Sequence, residues 1–174
     1  MFVTGPDAAE ETMDARVVLP DEAHQITLYE VKFRYGVDAA TTDGNLSMIE
    51  VSVPPRTLVK PHMHTREDEF TLVLDGMVGA RLGEMTIEEI PAGSWLVKPR
   101  DIPHAMWNVG TQPARILEVV SPGGLERYFE QVAPVLMEHG PDWTKRYYAL
   151  AEEFGLTILD EWSDELKARY GITL

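Results

Sequence analysis

Apolar and polar residues alternate in short runs through the middle of the chain, and a turn signal closes almost every run. From about Ile26 the pattern has period two. Tyr29, Val31, Phe33 and Tyr35 share one face, while Glu30, Lys32 and Arg34 share the other, as in a half-buried strand. Residues 46–53 alternate again until Pro54 and Pro55 stop them. Further runs cover 69–74, 78–82, 85–90, 94–97, 104–109 and 115–120, each followed by glycine, proline or both. Runs this short are too brief for the buried stripe of a helix. Many of them, with turns between, predict an all-β sandwich or barrel.

After Gly124 the period changes. Leu125, Tyr128, Phe129 and Val132 fall at helical spacing, and Pro134 is expected to end or kink that helix. Asp142 is placed to cap a second helix that carries Trp143, Tyr147, Leu150, Ala151 and Phe154 on one face, with Gly155 at its C-terminal end. Ser163 is placed to cap a third, which stops at Gly171. The segments 150–159 and 166–174 echo each other: a helix end, an aromatic residue, a capping glycine and a short extended piece. The expected organisation is an N-terminal tail or edge segment over 1–24, a β-barrel over 25–122 and a helical extension over 123–174.

The chain has 174 residues, enough for one domain with a real core. Fifteen Lys and Arg against 29 Asp and Glu give a net charge of -14, which argues against nucleic acid or an anionic membrane as partner. There is no cysteine, so neither a disulfide nor a thiolate site is available. The N-terminal residues have neither a basic start nor an apolar run, and no stretch approaches the roughly 20 apolar residues of a membrane span. A cytoplasmic location is expected.

Three histidines and a glutamate carry the chemistry. His62 and His64 flank Met63, and on a strand they point to the same face. Two imidazoles at this spacing are half a ligand set. A carboxylate after the next turn and an imidazole from a distant strand, His104, would complete a site for a divalent first-row metal. Glu67, Asp68 and Glu69 all stand in that next turn, and any of the three could supply the carboxylate. By strand parity Met106 shares the inward face with His104, while Trp107 faces away. Thr71 and Val73 follow Glu69 inward. Phe70, Leu72 and Leu74 then point outward and need cover from the C-terminal helices or from a second subunit, so a homodimer is expected. Asn108 reads as a turn or core amide, and His24 and His139 as solvated side chains.

Arg56, His62-Met63-His64, Glu69 and Gly76 have the spacing of the first cupin motif, and Gly93, Pro99, Asp101, His104 and Asn108 that of the second. Arg56 and Asp101 each stand where the motifs have glycine, and Asp tolerates the left-handed turn better than most residues. The chain thus resembles the cupin superfamily, and its tail is similar to those of single-domain cupins described as quercetin 2,3-dioxygenase-like. The resemblance implies a double-stranded β-helix, the cupin jelly-roll barrel, with C-terminal helices. It implies one divalent transition metal (Fe, Ni, Co, Mn, Cu or Zn) held by His62, His64, Glu69 and His104. Glu69 would also serve as the catalytic base toward a substrate hydroxyl. The implied activity is that of a dioxygenase acting on a small aromatic or enolisable substrate with O2. A metal-dependent isomerase, lyase or hydrolase on the same site, or a barrel that only binds a small molecule, are the alternatives.

Overall fold

A computed structural model describes residues 15–174. Residues 1–14 of the expected N-terminal tail lie outside the described residues. Two antiparallel sheets face each other. The first contains β1 (His24–Leu28), β2 (Val31–Val37), β3 (Ser47–Val53), β10 (Ala114–Ser121), β5 (Asp68–Asp75) and β8 (Trp95–Lys98), in that spatial order. The second contains β11 (Leu156–Ile158), β4 (Thr57–His64), β9 (His104–Asn108), β6 (Met77–Leu82) and β7 (Met85–Pro91). From β3 to β6 and again from β7 to β10 each strand crosses to the opposite sheet, which gives the jelly roll expected from the alternation. The inward positions follow parity. Ile49, Val51, Val53, Val73, Ile116 and Val120 are all at most 3% exposed and fill the space between the sheets.

Three helices follow: α1 (Glu126–Glu138), α2 (Trp143–Glu153) and α3 (Asp160–Tyr170). Val132 and Val135 of α1 and Ala151 of α2 join the main core. Leu166 of α3 joins a smaller cluster around Trp107 on the outer face of the second sheet. Trp107 is fully buried, stacks on Tyr170 at 4.8 Å and faces away from the barrel interior as parity predicted. An added Cβ on Gly79 would lie 2.3 Å from its indole, so only glycine fits opposite.

Several local expectations need correction. The run through Tyr29 is not one strand but a hairpin, because Tyr29 turns the chain with φ +54° and stands 52% exposed. Pro134 does not end α1, which continues to Glu138. Its missing N–H costs one internal bond, and the buried residues on both sides hold the helix together. Asp142 occupies the N-cap of α2 but its side chain makes no capping bond. The third helix starts at Asp160, and Ser163 lies inside it, donating to the Leu159 carbonyl. Gly155 and Gly171 do adopt the left-handed conformation, at φ +75° and +61°.

The two echoing segments have a shared destination. The piece after Gly155 is β11, which pairs with β4 through Leu156 opposite His64 and Ile158 opposite His62. The piece after Gly171 bridges the other end of β4, where Thr173 meets Thr57 and its N–H donates to the Arg56 carbonyl at 2.9 Å. The helices do not cover the outer face of β5 and β8. Phe70 and Leu74 are 37% and 39% exposed, and their neighbours Trp95 and Val97 63% and 60%. No helix among the described residues is long and apolar enough to cross a membrane.

Candidate metal centre

His62 and His64 stand near the end of β4, and His104 opens β9 directly opposite His62. The pairing slips between Val59 and His62, where Pro61 lies in the strand. A proline has no N–H for the ladder, so a bulge is where it is tolerated. Glu69 comes from β5 in the other sheet. All four side chains converge between the sheets, with one ligand atom from each inside a 4.8 Å cluster. His64, Glu69 and His104 are buried. Glu67 and Asp68 are elsewhere. Glu67 sits 3.4 Å from the far ring nitrogen of His64, and Asp68 pairs with Arg100 at 2.8 Å.

The tautomers follow from the surroundings. His62 Nδ1 faces the Lys60 carbonyl, and His104 Nδ1 faces the Ile102 carbonyl at 3.1 Å. A carbonyl only accepts, so both Nδ1 atoms carry the proton and both Nε2 atoms present a lone pair. Those two Nε2 atoms lie 3.2 Å apart, and His104 Nε2 is 3.1 Å from Glu69 Oε2. His64 Nε2 is 3.5 Å from Glu69 Oε1, and neither ring nitrogen of His64 makes a hydrogen bond despite its burial. The Nε2 atoms of His62 and His104 thus face each other as acceptors, which is favourable only with a cation or a proton between them. Burial and the two neighbouring imidazoles hold His62 well below its usual pKa, which disfavours the proton. Metal–nitrogen bonds of about 2.1 Å at right angles would place adjacent donors about 3.0 Å apart. The donor set therefore fits a divalent transition metal.

Two residues that sequence reasoning passed over complete the floor of the barrel. Lys98 lies opposite Glu69 in the β5–β8 ladder, and Glu118 lies opposite Thr71 in the β5–β10 ladder. Lys98 Nζ is 2.8 Å from Glu69 Oε2 and 3.0 Å from Glu118 Oε2, and the Thr71 hydroxyl donates to Glu118 at 2.7 Å. Burial alone would raise the Glu69 carboxyl, but Lys98 and the imidazoles outweigh it and hold it well below the usual range. Burial wins at Glu118, whose carboxyl is raised. Burial would lower Lys98, yet Glu118 and Glu69 hold it above the ordinary lysine value. The signal for Glu118 was present in the sequence: it occupies an inward position between Ile116 and Val120.

The enclosed space is small, about 60 Å³, with Ile49, Val51, Leu96 and Met106 among its apolar walls. Asn108 is not part of it: its amide donates to the Val53 and Gln112 carbonyls and accepts from Gly110 N–H, as a satisfied turn residue. Both motif positions that lack glycine are left-handed. Arg56 has φ +59° and Asp101 φ +64°. Arg56 is held by its guanidinium bond to the Gly171 carbonyl, and the Asp101 N–H donates to the His64 carbonyl at 2.7 Å.

Comparison with known proteins agrees with this architecture. Residues 49–120 match the Cupin domain family. The chain is 32% identical over 77 residues to germin-like protein 9-3 of Oryza sativa subsp. japonica, a stretch covering 42% of this chain and 36% of that protein. It is 36% identical over 76 residues to germin-like protein subfamily T member 2 of Arabidopsis thaliana, covering 41% and 34%. The chain thus spans only about a third of the length of these curated relatives. Among solved structures, KdgF from Halomonas sp. superposes with a TM-score of 0.58 at 15% identity, over 66% of this chain and 99% of that one. A predicted oxalate decarboxylase from Thermotoga maritima gives 0.55 at 19% identity, over 62% and 99%. Pac13, described as a nucleoside dehydratase, gives 0.53 at 12% identity, over 66% and 88%. At such identities the structural likeness speaks for the fold alone. Residues 49–120 thus carry a cupin domain, and the double-stranded β-helix built around them and the germin-like relatives agree with it.

Proposed function

We propose that His62, His64, Glu69 and His104 hold one divalent transition metal, and that the chain is a metal-dependent oxidoreductase of the dioxygenase class. Its substrate in this reading is a small aromatic or enolisable molecule, with O2 as co-substrate. The observation that carries the metal is the confrontation of bare Nε2 atoms 3.2 Å apart, both tautomers being fixed by backbone carbonyls. A metal bound there supplies Lewis acidity toward a substrate oxygen. Glu69 takes the proton from the substrate hydroxyl. Lys98, 2.8 Å away, keeps that carboxylate ionised and aimed at the centre. The apolar walls around the centre exclude bulk water.

One observation favours a second reading. Glu118 lines the same cavity with its carboxyl raised while Glu69 is lowered, and carboxyls pushed apart in this way suit acid–base work without oxygen. A lyase or isomerase on the same metal would use that pair. Mass spectrometry for metal on wild type, Glu69→Ala and His104→Ala, followed by oxygen-uptake assays with 1,3-diketones and flavonols, tests both. The first reading expects about one metal per chain, lost in both variants, and oxygen consumed with substrate. Turnover without oxygen uptake would favour the second. A wild-type protein that holds no metal, and takes up none on reconstitution, would refute the metal centre.

We also propose a homodimer built on the exposed apolar face of β5 and β8. Phe70, Leu74, Trp95 and Val97 lie side by side there, with cross-strand register Phe70–Val97 and Leu72–Trp95.

A further inference from the structure

A second and larger cavity adjoins the barrel interior. It measures about 270 Å³ and lies between β4 and the helices α1 and α2. Tyr128, Phe129 and Val132 of α1 and Trp143 and Tyr147 of α2 form its roof, and His62 and His64 stand in its wall. Phe33, Phe129 and His62 belong to the walls of both spaces, so the chamber and the candidate metal centre are direct neighbours. An apolar cavity of about 150 Å³ takes a benzene ring, and one of 270 Å³ has room for two fused rings. At the rim, Lys60 Nζ meets Asp160 at 2.6 Å, and the Tyr148 hydroxyl donates to the same carboxylate. The rim residues Tyr29 and Tyr148 are 52% and 40% exposed.

We propose that this chamber is where the substrate's body lies: a flat, uncharged aromatic of about two fused rings, with its hydroxyl end toward His62 and His64. Aromatic side chains form most of the roof, and rings pack well by edge and offset face. The Lys60–Asp160–Tyr148 cluster ties β4, α3 and α2 together at the mouth. The placement of the hydroxyl rests on the proposed metal centre; the fit of the rings does not.

The test uses 2-naphthol against phenol, which has the same hydroxyl on one ring, by titration calorimetry on the full chain, both metal-loaded and chelator-stripped. Naphthol should bind one per chain, at least tenfold more tightly than phenol. Leu136→Trp, which pushes an indole into the chamber from α1, should weaken naphthol at least tenfold and leave metal content unchanged. Met137→Trp, on the next residue and 74% exposed, should change neither. Leu136→Phe, a smaller intrusion, should still cost about threefold and serves if the larger variant misfolds. Equal affinities for the two phenols, or naphthol binding indifferent to both Leu136 variants in folded protein, would overturn the proposal. Naphthol binding to stripped protein that Leu136→Trp abolishes would uphold the chamber even where no metal is taken up. Full metal content without naphthol binding would sink the chamber and leave the metal centre standing.

Discussion

Replacing Lys98 with methionine keeps much of the side chain's bulk and removes its charge. Lys98, Glu69 and Glu118 are 6%, 5% and 8% exposed, with contacts of 2.8 and 3.0 Å between the ammonium and the two carboxylates. An ion pair at about 3 Å, in an effective dielectric of about 20, attracts by about 5 kcal/mol before desolvation is subtracted. Removing one partner of a buried set costs about 3–5 kcal/mol net, because the opposite charges are left without compensation. In a chain of this size 1 kcal/mol moves Tm by about 2–4 °C. Metal-stripped Lys98→Met should therefore melt about 6–20 °C below wild type. Adding Glu118→Gln removes one of the stranded carboxylates and should restore at least half of the loss. Divalent metal should also shrink the deficit, since it brings positive charge to Glu69. Scanning calorimetry with and without chelator measures all of this. A single variant melting within about 2 °C of wild type, or a double variant no better than the single, would refute Lys98 as the neutralising charge of the barrel floor.

Acid should destabilise the metal-free protein through His62. Its folded pKa lies well below the usual 6.5, so below that pH the unfolded chain binds a proton that the folded chain excludes, and stability falls as pH falls, by up to about 1.4 kcal/mol per unit. Glu118, whose carboxyl is raised, acts in the opposite sense. Urea midpoints between pH 7.5 and 5.5 should therefore be compared with those of His62→Gln, which should show a shallower decline; an identical slope would contradict the assignment. Asp101→Val should lose about 1–3 kcal/mol in urea unfolding, because a β-branched residue strains the φ +64° turn, while Asp101→Gly should stay within about 1 kcal/mol of wild type. Trp95→Glu should yield monomers by sedimentation equilibrium at micromolar concentration, whereas a monomeric wild type would rule out the dimer.

The candidate ligands were legible in two ways. Parity along β4 puts His62 and His64 on one face, whereas Glu69, from the other sheet, and His104, from a strand paired across some forty residues, were readable only through the spacing of the two motifs. Lys98 and Glu118 acquire their place from register between strands far apart in sequence, Glu69 with Lys98 and Thr71 with Glu118. Nothing local announces that partnership, although a lone charge at an inward position such as Glu118 is a usable sign. The hairpin at Tyr29 was missed for a related reason. The turn has neither glycine nor proline, and a bulky residue adopts φ +54° because the surrounding pairs, Leu28 with Val31 and Ile26 with Phe33, hold it there. Pro134 shows the reverse: a strong local breaker overruled by Val132 and Val135, both buried against the barrel. Left-handed geometry at Arg56 and Asp101 shows that the motif positions impose a backbone shape even where glycine is gone.

The pairing of β11 with β4 has a consequence for the order of events during synthesis. His62 and His64 leave the ribosome more than 90 residues before Leu156 and Ile158, the residues that hydrogen-bond alongside them. At about 5–20 residues per second that interval lasts on the order of 5–20 s. During it the strand carrying two imidazoles is an open sheet edge, able to pair with other nascent chains. Closure comes only once residues 156–158 have emerged, so a centre that needs a rigid β4 matures no earlier than that, and a premature stop near Gly155 would leave the strand of His62 and His64 unguarded.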